Sequence, residues 1–323
     1  MSILKHLLGA AALTAALVGT TAGAVAQGYP ERPVTVIVPF AAGGGTDVYT
    51  RIWAEEMSKL TGQRFIVENM PGAAGAIGTK AGIASTPDGY TLVMGVASTI
   101  AINPHTMGAE IGYKSLEELR PISLLVFTPW YLVGSTKNPY DDIEGMLEYG
   151  KENPGDLTFG TWTSTGETGR KILVRRTGVD LLPVPYDGAV AAMNDLVAGR
   201  AAVAMTDLSS AVSFIRSGDI VALAVTGPNR SSLTPDVPAI SESGVTDMDV
   251  NSWVALFAPA GTPDDIIALL NEKTTEVLSM PDVQAKLTDL AAEIHLYSPE
   301  ETRAFVTTQY ENWAKVIAET ADN

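Results

Sequence analysis

The stretch Val34-Thr35-Val36-Ile37-Val38-Pro39-Phe40-Ala41-Ala42-Gly43-Gly44-Gly45-Thr46-Asp47 decides the fold of this chain. Residues 34–38 are an apolar run, which predicts a strand of a sheet that is covered on both faces. A helical pattern follows over residues 48–60, and we expect Thr46 or Asp47 to cap it. A strand, a glycine-rich turn and a helix start leave free backbone N–H groups at the helix N-terminus. Three successive glycines have no side chains that would keep a ligand away from those donors. We therefore interpret the turn as half of an anion-binding cleft.

A second strand, turn and helix follow the first. Residues 65–69 are the predicted strand, residues 71–75 form a second turn of small residues, and a short helix is expected over residues 76–84. Two helix N-termini that face one crevice can hold a carboxylate without arginine or lysine, because each contributes about 0.3–1 kcal/mol. Either turn alone is equally well explained by glycines that serve packing. The two in tandem favour a binding site.

Polar residues also follow two other predicted strands. The strand over residues 90–96 ends at Ala97-Ser98-Thr99, and the strand over residues 201–205 ends at Thr206-Asp207. Ligands of open α/β sheets bind beyond the carboxyl ends of the strands. Ser98 is therefore either a ligand donor or a helix cap. Asp207 either hydrogen-bonds an amine or a water molecule in the cleft, or caps the helix that follows.

Length and composition bound the fold and exclude several classes of function. A chain of 323 residues is long enough for two domains, and 46% hydrophobic residues supply their cores. Cysteine is absent, which excludes disulfides, thiolate catalysis and cysteine-bound metals. The formal charge of −16 argues against nucleic acid or an anionic membrane surface as the main partner.

The first 26 residues have the pattern of a cleaved signal peptide. Lys5 precedes an apolar run over residues 7–18, and Ala24-Val25-Ala26 fits a small-residue cleavage site. The alternatives are a buried helix or a membrane anchor, but the run is shorter than the about 20 residues that span a bilayer. Removal of the segment leaves 20 basic and 37 acidic residues, a formal charge of −17. We expect an exported, periplasmic protein.

Several motifs, in order along the chain, resemble one family. They are Pro39-Phe40-Ala41-Ala42-Gly43-Gly44-Gly45-Thr46-Asp47, Glu68-Asn69-Met70-Pro71-Gly72-Ala73-Ala74-Gly75, Pro87-Asp88-Gly89-Tyr90-Thr91-Leu92, Val184-Pro185-Tyr186-Asp187-Gly188, Ala224-Val225-Thr226, Pro235-Asp236-Val237-Pro238 and Ala258-Pro259-Ala260-Gly261-Thr262-Pro263. Together they resemble the substrate-binding proteins of tripartite tricarboxylate transporters, the Bug family. The resemblance covers essentially the whole mature chain.

The resemblance implies a fold and a function. The fold is a two-domain α/β periplasmic binding protein, type II-like and of the Venus-flytrap kind, with parallel or mixed sheets flanked by helices and a ligand cleft between the domains. Domain 1 is expected to comprise residues 27–128 plus 252–323, and domain 2 residues 129–251. The implied function is capture of a small carboxylate, a di- or tricarboxylate or an aromatic acid, and its delivery to membrane permease subunits. We expect a monomer that needs no cofactor or metal.

The loop over residues 161–167 departs from the family. Relatives usually have a histidine after this turn, and Glu167 falls near that position, so the identity of the ligand does not transfer. Thr163, Ser164 and Thr165 still supply hydroxyl and N–H donors at a helix start, and we expect them to contact the ligand. The candidate ligand-binding residues are Phe40, Ala42, Gly43, Gly44, Thr46, Asp47, Pro71, Gly72, Ala73, Ala74, Gly75, Ser98, Thr163, Ser164, Thr165 and Asp207.

Three further residues have two interpretations each. Trp130 and Trp162 either line the pocket, where they can stack on a ligand, or serve packing. Arg170 either points its guanidinium at a second ligand carboxylate or belongs to a solvated helix face. The residue pattern does not decide between these roles.

An enzyme is the rival class of function. Gly43 and Gly45 begin a dinucleotide fingerprint, but Val48 stands where its last glycine belongs. The chain has no phosphate loop and no G-x-S-x-G nucleophile elbow. His105 and His295 are far apart in sequence and form no zinc motif. We therefore predict a binding protein without catalytic residues. A sensor subunit that presents its ligand to a membrane receptor fits the same cleft and stays an alternative.

Overall fold

A computed structural model of the chain describes residues 28–232, 234–246, 248 and 250–321. The predicted signal peptide, residues 1–26, lies outside these ranges. Within them, no helix combines the length and the hydropathy that a membrane span requires.

Strands and helices alternate along most of the chain, as the sequence predicts. The strands are β1 (Val34–Val38), β2 (Phe65–Asn69), β3 (Thr91–Val96), β4 (Leu119–Ser135), β5 (Thr158–Thr161), β6 (Leu182–Pro185), β7 (Val203–Asp207), β8 (Ile220–Val225), β9 (Asn251–Pro259) and β10 (Glu293–Ile294). The α-helices are α1 (Gly45–Thr61), α2 (Ala76–Ile83), α3 (Asn103–Thr106), α4 (Ser115–Glu118), α5 (Ile143–Glu152), α6 (Ser164–Thr177), α7 (Ala189–Ala198), α8 (Leu208–Ser217), α9 (Asp264–Leu278), α10 (Pro281–Thr288) and α11 (Pro299–Ala321). Short 3₁₀ turns are formed by Ala73–Gly75, Gly108–Ile111 and Ile240–Ser243, and a π-helical turn by Ala97–Ile102.

The strands form two groups, each with a parallel centre. In the first group β1 lies between β2 and β3 in parallel pairs, and β9 adds antiparallel to β3. In the second group β5 lies parallel between β6 and β7, and β4 pairs antiparallel with β7 and β8. We call β1, β2 and β3 with α1 and α2 the first lobe, and β5, β6 and β7 with α6, α7 and α8 the second lobe. The mixed sheets with flanking helices confirm the predicted fold class.

Strand β4 is shared by both groups. Its first part pairs with β9 as far as Pro129, opposite Asn251, and its second part pairs with β7 from Trp130 onward. The sequence predicts a crossover near residues 128–130 and a separate strand over residues 131–133, but the structure continues one strand through this point. Pro129 is tolerated there because a proline, which lacks an N–H, can stand where the pairing partner changes.

Helix α1 is fixed against the first lobe by its apolar face. Trp53 is buried, packs edge-on against Phe65 and donates from its indole nitrogen to Thr274 Oγ1 at 3.2 Å. The pair Thr61-Gly62 predicts the C-cap of this helix. The structure confirms it, because Gly62 ends the helix in the left-handed conformation with φ of 71° and its N–H donates to Ser58 O. The expected side-chain cap by Thr46 or Asp47 is wrong. Gly44 is the N-cap, without a side-chain bond, and both residues lie inside the first turn.

Candidate functional site

A cavity lies between the two lobes at the carboxyl ends of β1, β3, β5 and β7. It leaves about 40 Å³ for the centres of water-sized spheres, which is enough for a few water molecules since one needs about 10–15 Å³. Its lining is Phe40, Ala41, Gly44, Gly45, Thr46, Val96, Ser98, Trp130, Trp162, Thr163, Thr165, Gly188, Ala189, Asp207, Ser210 and Ser252. The lobes are therefore closed over a small polar space.

The structure brings part of the predicted set together at this cavity. The predicted residues that line it are Phe40, Gly44, Thr46, Ser98, Thr163, Thr165 and Asp207. Those that do not line it are Ala42, Gly43, Asp47, Pro71, Gly72, Ala73, Ala74, Gly75 and Ser164. Ligand contact stays a prediction for the residues of both groups. Hydrogen bonds and packing explain why the second group lies away from the cavity.

The first glycine-rich turn touches the second lobe directly. The backbone N–H of Gly45, the first residue of α1, donates to Ser210 Oγ at 2.9 Å. A Cβ atom at position 45 would overlap Asp207 Oδ1 and Ser209 Oγ. Only glycine permits this approach, because any side chain would hold the second lobe away from the start of α1.

Asp47 shapes the first turn from behind the cavity. Its carboxylate accepts hydrogen bonds from Gly43 N, Arg51 Nε and Asn69 Nδ2, each at 2.9 Å. Burial alone would raise the pKa of Asp47, but the hydrogen bonds from Arg51, Gly43 and Asn69 outweigh it and hold that pKa below its usual value. The Asp47 carboxylate is thus used to hold the turn in place.

The second turn, Gly72 to Gly75, lies one layer further from the cavity. Its four residues all have positive φ, with Ala73 at 48° and Ala74 at 51°. A Cβ atom at Gly75 would lie 3.0 Å from the Phe40 ring, so Phe40 stands between this turn and the cavity. Phe40 therefore lies against this turn and also lines the cavity.

Asn103 connects the second turn to the second lobe. This fully buried residue donates from Nδ2 to Ala74 O at 3.1 Å, and its Oδ1 accepts from Ser164 Oγ at the start of α6. Ser164 is therefore occupied by a contact between the lobes, which explains why it does not line the cavity. Sequence reasoning missed Asn103, because nothing local marks a residue 61 positions from its partner.

Two buried donors of the cavity lining have no hydrogen-bond partner among the described residues. They are Ser98 Oγ and Trp130 Nε1, in side chains that are 1% and 4% exposed. A buried polar group without a partner costs about 1–3 kcal/mol. Ser98 lies in the π-helical turn, an element that occurs frequently at functional sites. Both donors are suited to an acceptor that enters the cavity.

Asp207 takes the capping role that the sequence left open, and a hydrogen bond between Asp207 and an amine or a water molecule in the cleft stays a prediction. As the N-cap of α8 it accepts from Ser210 N at 3.1 Å, and it also lines the cavity. Burial raises the pKa of Asp207, because the lobes remove water from its carboxylate and the hydrogen bonds from Ser209 and Ser210 only partly compensate. It is the one ionisable side chain among the described residues that line the cavity.

Of the residues with two interpretations, the tryptophans line the cavity and the arginine does not. Trp162 is partly buried, and Trp130 also belongs to the main apolar core. Arg170 forms a two-pronged pair with Glu167, at 2.9 Å and 2.6 Å, and donates to Leu181 O. Its guanidinium is thus held by its own helix and by the residue that precedes β6.

Several lining residues were not among the candidates. They are Ala41, Gly45, Val96, Gly188, Ala189, Ser210 and Ser252. Gly45 belongs to the triple glycine and Gly188 to the motif Tyr186-Asp187-Gly188, so both had a signal in the sequence. Ser210 had a weaker signal in the sequence. It follows Asp207 at the spacing between an N-cap and its N3 residue. The described residues contain no cluster of His, Cys, Asp or Glu that could hold a metal ion.

Comparisons with known proteins agree on one family. The model described as "Tripartite tricarboxylate transporter family receptor" matches residues 49–321. The curated protein BugT of Bordetella pertussis is 33% identical over 319 residues, covering 98% of each chain.

Two solved structures have the same fold. The periplasmic binding protein BugD is 32% identical, with a TM-score of 0.84 over 91% of this chain and 99% of its own. MatC of Rhodopseudomonas palustris, with bound malate, is 31% identical, with a TM-score of 0.84 over 90% and 100%.

Proposed function

This chain belongs to the tripartite tricarboxylate transporter receptor family, and from that premise we propose that it captures a small carboxylate between its lobes for delivery to membrane permease subunits. One observation carries the proposal. Ser98 and Trp130, whose Oγ and Nε1 atoms have no partner among the described residues, line a cavity that also adjoins the N-terminus of α1. Hydrogen-bond donors at a helix N-terminus are suited to an anion. The malate in the related MatC supports a carboxylate as that anion.

The proposed capture needs a hinge. We assign residues 27–128 plus 252–323 to domain 1 and residues 129–251 to domain 2, with hinge segments at residues 128–130 and 251–253. This division is supported by β4, which pairs with β9 from Leu119 to Pro129 and with β7 from Trp130 onward. A ligand that contacts both lobes favours the closed arrangement, because it binds that state more tightly than the open one.

The remaining parts of the proposal concern the setting of the protein. The signal pattern in residues 1–26 supports export to the periplasm, where the mature chain acts as a monomer. Binding rather than catalysis is supported by the receptor description of the family. A role as ligand-presenting sensor subunit uses the same cleft, and gene neighbours that encode a small and a large multi-spanning membrane protein, rather than a sensor kinase, distinguish transport from sensing.

A thermal-shift screen of the mature protein over a carboxylate panel tests the function. The panel holds citrate, C4–C8 dicarboxylates, aromatic acids and acidic amino acids, with the matching alcohols and amides as uncharged controls. A ligand at 100 times its dissociation constant adds about 2.7 kcal/mol of stability, so at least one carboxylate raises the Tm while its uncharged control does not. A panel in which no carboxylate raises the Tm, or in which the uncharged controls act equally well, rejects the proposal.

A further inference from the structure

Each lobe ends in an edge strand, and the two edges differ in the hydrogen-bonding groups that they offer. Strand β2 is the last strand of the first lobe and β6 is the last strand of the second, and each has one strand neighbour among the described residues. An edge strand presents unpaired N–H and C=O groups to which another chain can pair. The residues at the outward positions decide whether such pairing is possible.

Prolines close the outer edge of β6. Leu182 N donates to Leu157 O at 2.8 Å, on the side of β5. Backbone groups of successive strand residues point to opposite sides of the strand, so Pro183 and Pro185 take the outward positions. Proline has no N–H. The outer edge of β6 therefore lacks donors at both positions, which is a common protection of an edge strand.

The outer edge of β2 has kept its donors. Met70 N donates to Val38 O at 2.9 Å, so the even-numbered positions of this strand face β1. The backbone groups of Phe65 and Val67 consequently face outward. Phe65 N is used by Ser58 Oγ at 2.9 Å. Phe65 O and both backbone groups of Val67 have no strand partner within the described part of the chain.

The side chains on one face of β2 form a self-complementary row. Phe65 is buried against the ring of Trp53. Arg64, Ile66 and Glu68 alternate with it and point to the other face, where all three are exposed, Ile66 by 39%. Neither charged side chain forms an ion pair with another described residue. The row is basic, apolar and acidic, and its own reverse is the row that would complement it.

We propose that the outer edge of β2 pairs antiparallel with β2 of a second copy of this chain, with Ile66 at the two-fold axis. In this register Ile66 faces Ile66 of the second copy, and Arg64 of each copy faces Glu68 of the other. Directly opposed side chains of an antiparallel pair interact, and opposite charges at such positions are favourable. Phe65 stands opposite Val67, so Val67 N donates to Phe65 O of the other copy. An axis at Glu68 would instead bring two like charges together.

The pairing is weak and reversible. Strand β2 has five residues, whereas a stable interface takes about 20–30 residues from each partner. The formal charge of −17 on the mature chain repels a second copy, although salt at physiological strength screens this repulsion beyond about 8 Å. No residue of β2 lines the cavity, so a single chain remains the unit that captures the ligand. The inference goes beyond the proposed function and does not depend on it.

Charge reversals at this edge test the pairing. We would measure sedimentation equilibrium of the mature protein from about 10 µM to about 1 mM, the range of weak association. The samples are the wild type, Arg64→Glu, Glu68→Arg, the double variant and an equimolar mixture of the two single variants. Each single variant opposes like charges when it pairs with itself, whereas the double variant and the mixture restore opposite charges. Glu144→Arg and Lys151→Glu, at exposed positions of α5, change the net charge equally and are the matched controls.

The expected result is a dimer that follows the signs of the two charges. The wild type, the double variant, the mixture and both controls form dimers as the concentration rises. Each single reversal weakens the association at least about tenfold, because two cross-strand pairs change sign. Hydrogen exchange at the amide of Val67 in the wild type slows from the lowest to the highest concentration. This measurement needs no variant, so it decides even if a reversal fails to fold.

Three results overturn the inference. The first is a wild type that stays monomeric over the whole range and shows no change in exchange at Val67. The second is a dimer that persists in both single variants, since it would lie on another surface. The third is a wild-type dimer that is lost in the single variants but restored in neither the double variant nor the mixture, which contradicts the register about Ile66. Carboxylate capture is tested separately by the thermal-shift panel and stands or falls there.

Discussion

The backbone N–H of Gly45 donates to Ser210 Oγ across 165 positions of sequence and joins the starts of α1 and α8. Both helices direct their N-terminal donors toward this point, and Asp207 caps α8 there. Two positive helix ends would repel each other without an intervening acceptor. The hydroxyl of Ser210 and the carboxylate of Asp207 supply it, so the protein itself stabilises the closed arrangement of its lobes.

Gly45→Ala is expected to oppose closure while leaving the first lobe folded. The new Cβ atom would overlap Asp207 and Ser209, although alanine favours the helix itself by up to about 1 kcal/mol. Apparent affinity falls with the fraction of protein that can close. We expect at least about a tenfold loss of affinity for the carboxylate found in the screen, measured by calorimetry, and a larger radius of gyration in solution scattering.

The neighbouring Gly44→Ala is the comparison for that variant. A Cβ atom at Gly44 would make only ordinary contacts, 3.7 Å to Ala41 O and 3.9 Å to Ala189 Cβ, so its scattering profile should match that of the wild type. An unchanged affinity and profile in Gly45→Ala would contradict the role given to this contact.

Ser98→Ala is expected to change stability and binding in opposite directions. Removal of a buried hydroxyl without a partner should stabilise the ligand-free protein by about 1 kcal/mol, seen as a higher Tm. Loss of a hydrogen bond to the ligand should weaken binding about tenfold.

Ser115→Ala provides the control for this pair of effects. Ser115 is equally buried, but its hydroxyl donates to Ile100 O at 2.7 Å, away from the cavity. Its loss should lower the Tm and leave binding unchanged. A Ser98→Ala variant that behaves like Ser115→Ala would show that Ser98 is structural only.

The fold could be predicted from local patterns because its central units are local. The apolar run of β1, the glycines after it and the stop of α1 at Gly62 lie within about thirty residues, as one strand–turn–helix unit requires. The role of Asp207 as an N-cap was equally visible, since an N-cap depends on residues that follow at once.

The closed site could not be predicted in the same way, because it depends on pairs that are distant in sequence. Ser210 meets Gly45 only after both lobes have formed. The position of Phe40 in front of the second turn depends on the packing of a side chain, which the glycine pattern of Gly72 to Gly75 does not encode. The same holds for Asn103, whose partners come from both lobes.

Asn103→Ala is expected to loosen the second turn. The substitution leaves Ala74 O and the Ser164 hydroxyl without their partner in a buried site, which costs about 1–3 kcal/mol. Ala73 and Ala74 hold a left-handed backbone that is unfavourable for alanine, so the turn depends on such outside contacts. Hydrogen exchange at Ala73, Ala74 and Gly75 should accelerate, and the Tm should fall.

Ser164→Ala distinguishes the two hydrogen bonds of Asn103, one to Ala74 O and one from Ser164 Oγ. It removes the contact to the second lobe but keeps the bond from Asn103 to Ala74 O. Exchange in the second turn should then stay close to that of the wild type. Equal acceleration in both variants would indicate that the lobes, rather than Asn103 itself, hold the turn.

Asp47 is expected to stabilise the fold in a manner that acid removes. Its pKa is held below the ordinary value of 3.8, since the hydrogen bonds from Arg51, Gly43 and Asn69 outweigh burial. For a carboxyl group with a lowered pKa, the stabilisation is fully present above the ordinary value and is lost as the pH falls through the lowered one. At pH 7, Asp47→Asn should therefore lower the free energy of unfolding by about 1–3 kcal/mol.

Melting of the wild type and Asp47→Asn from pH 7 to pH 3 should show a Tm difference that is constant above about pH 5 and shrinks below pH 4. Asp141→Asn, at an exposed position, serves as the control and should show no such pattern. If the Tm difference between Asp47→Asn and the wild type did not change with pH, the effect would be due to side-chain shape and not to charge.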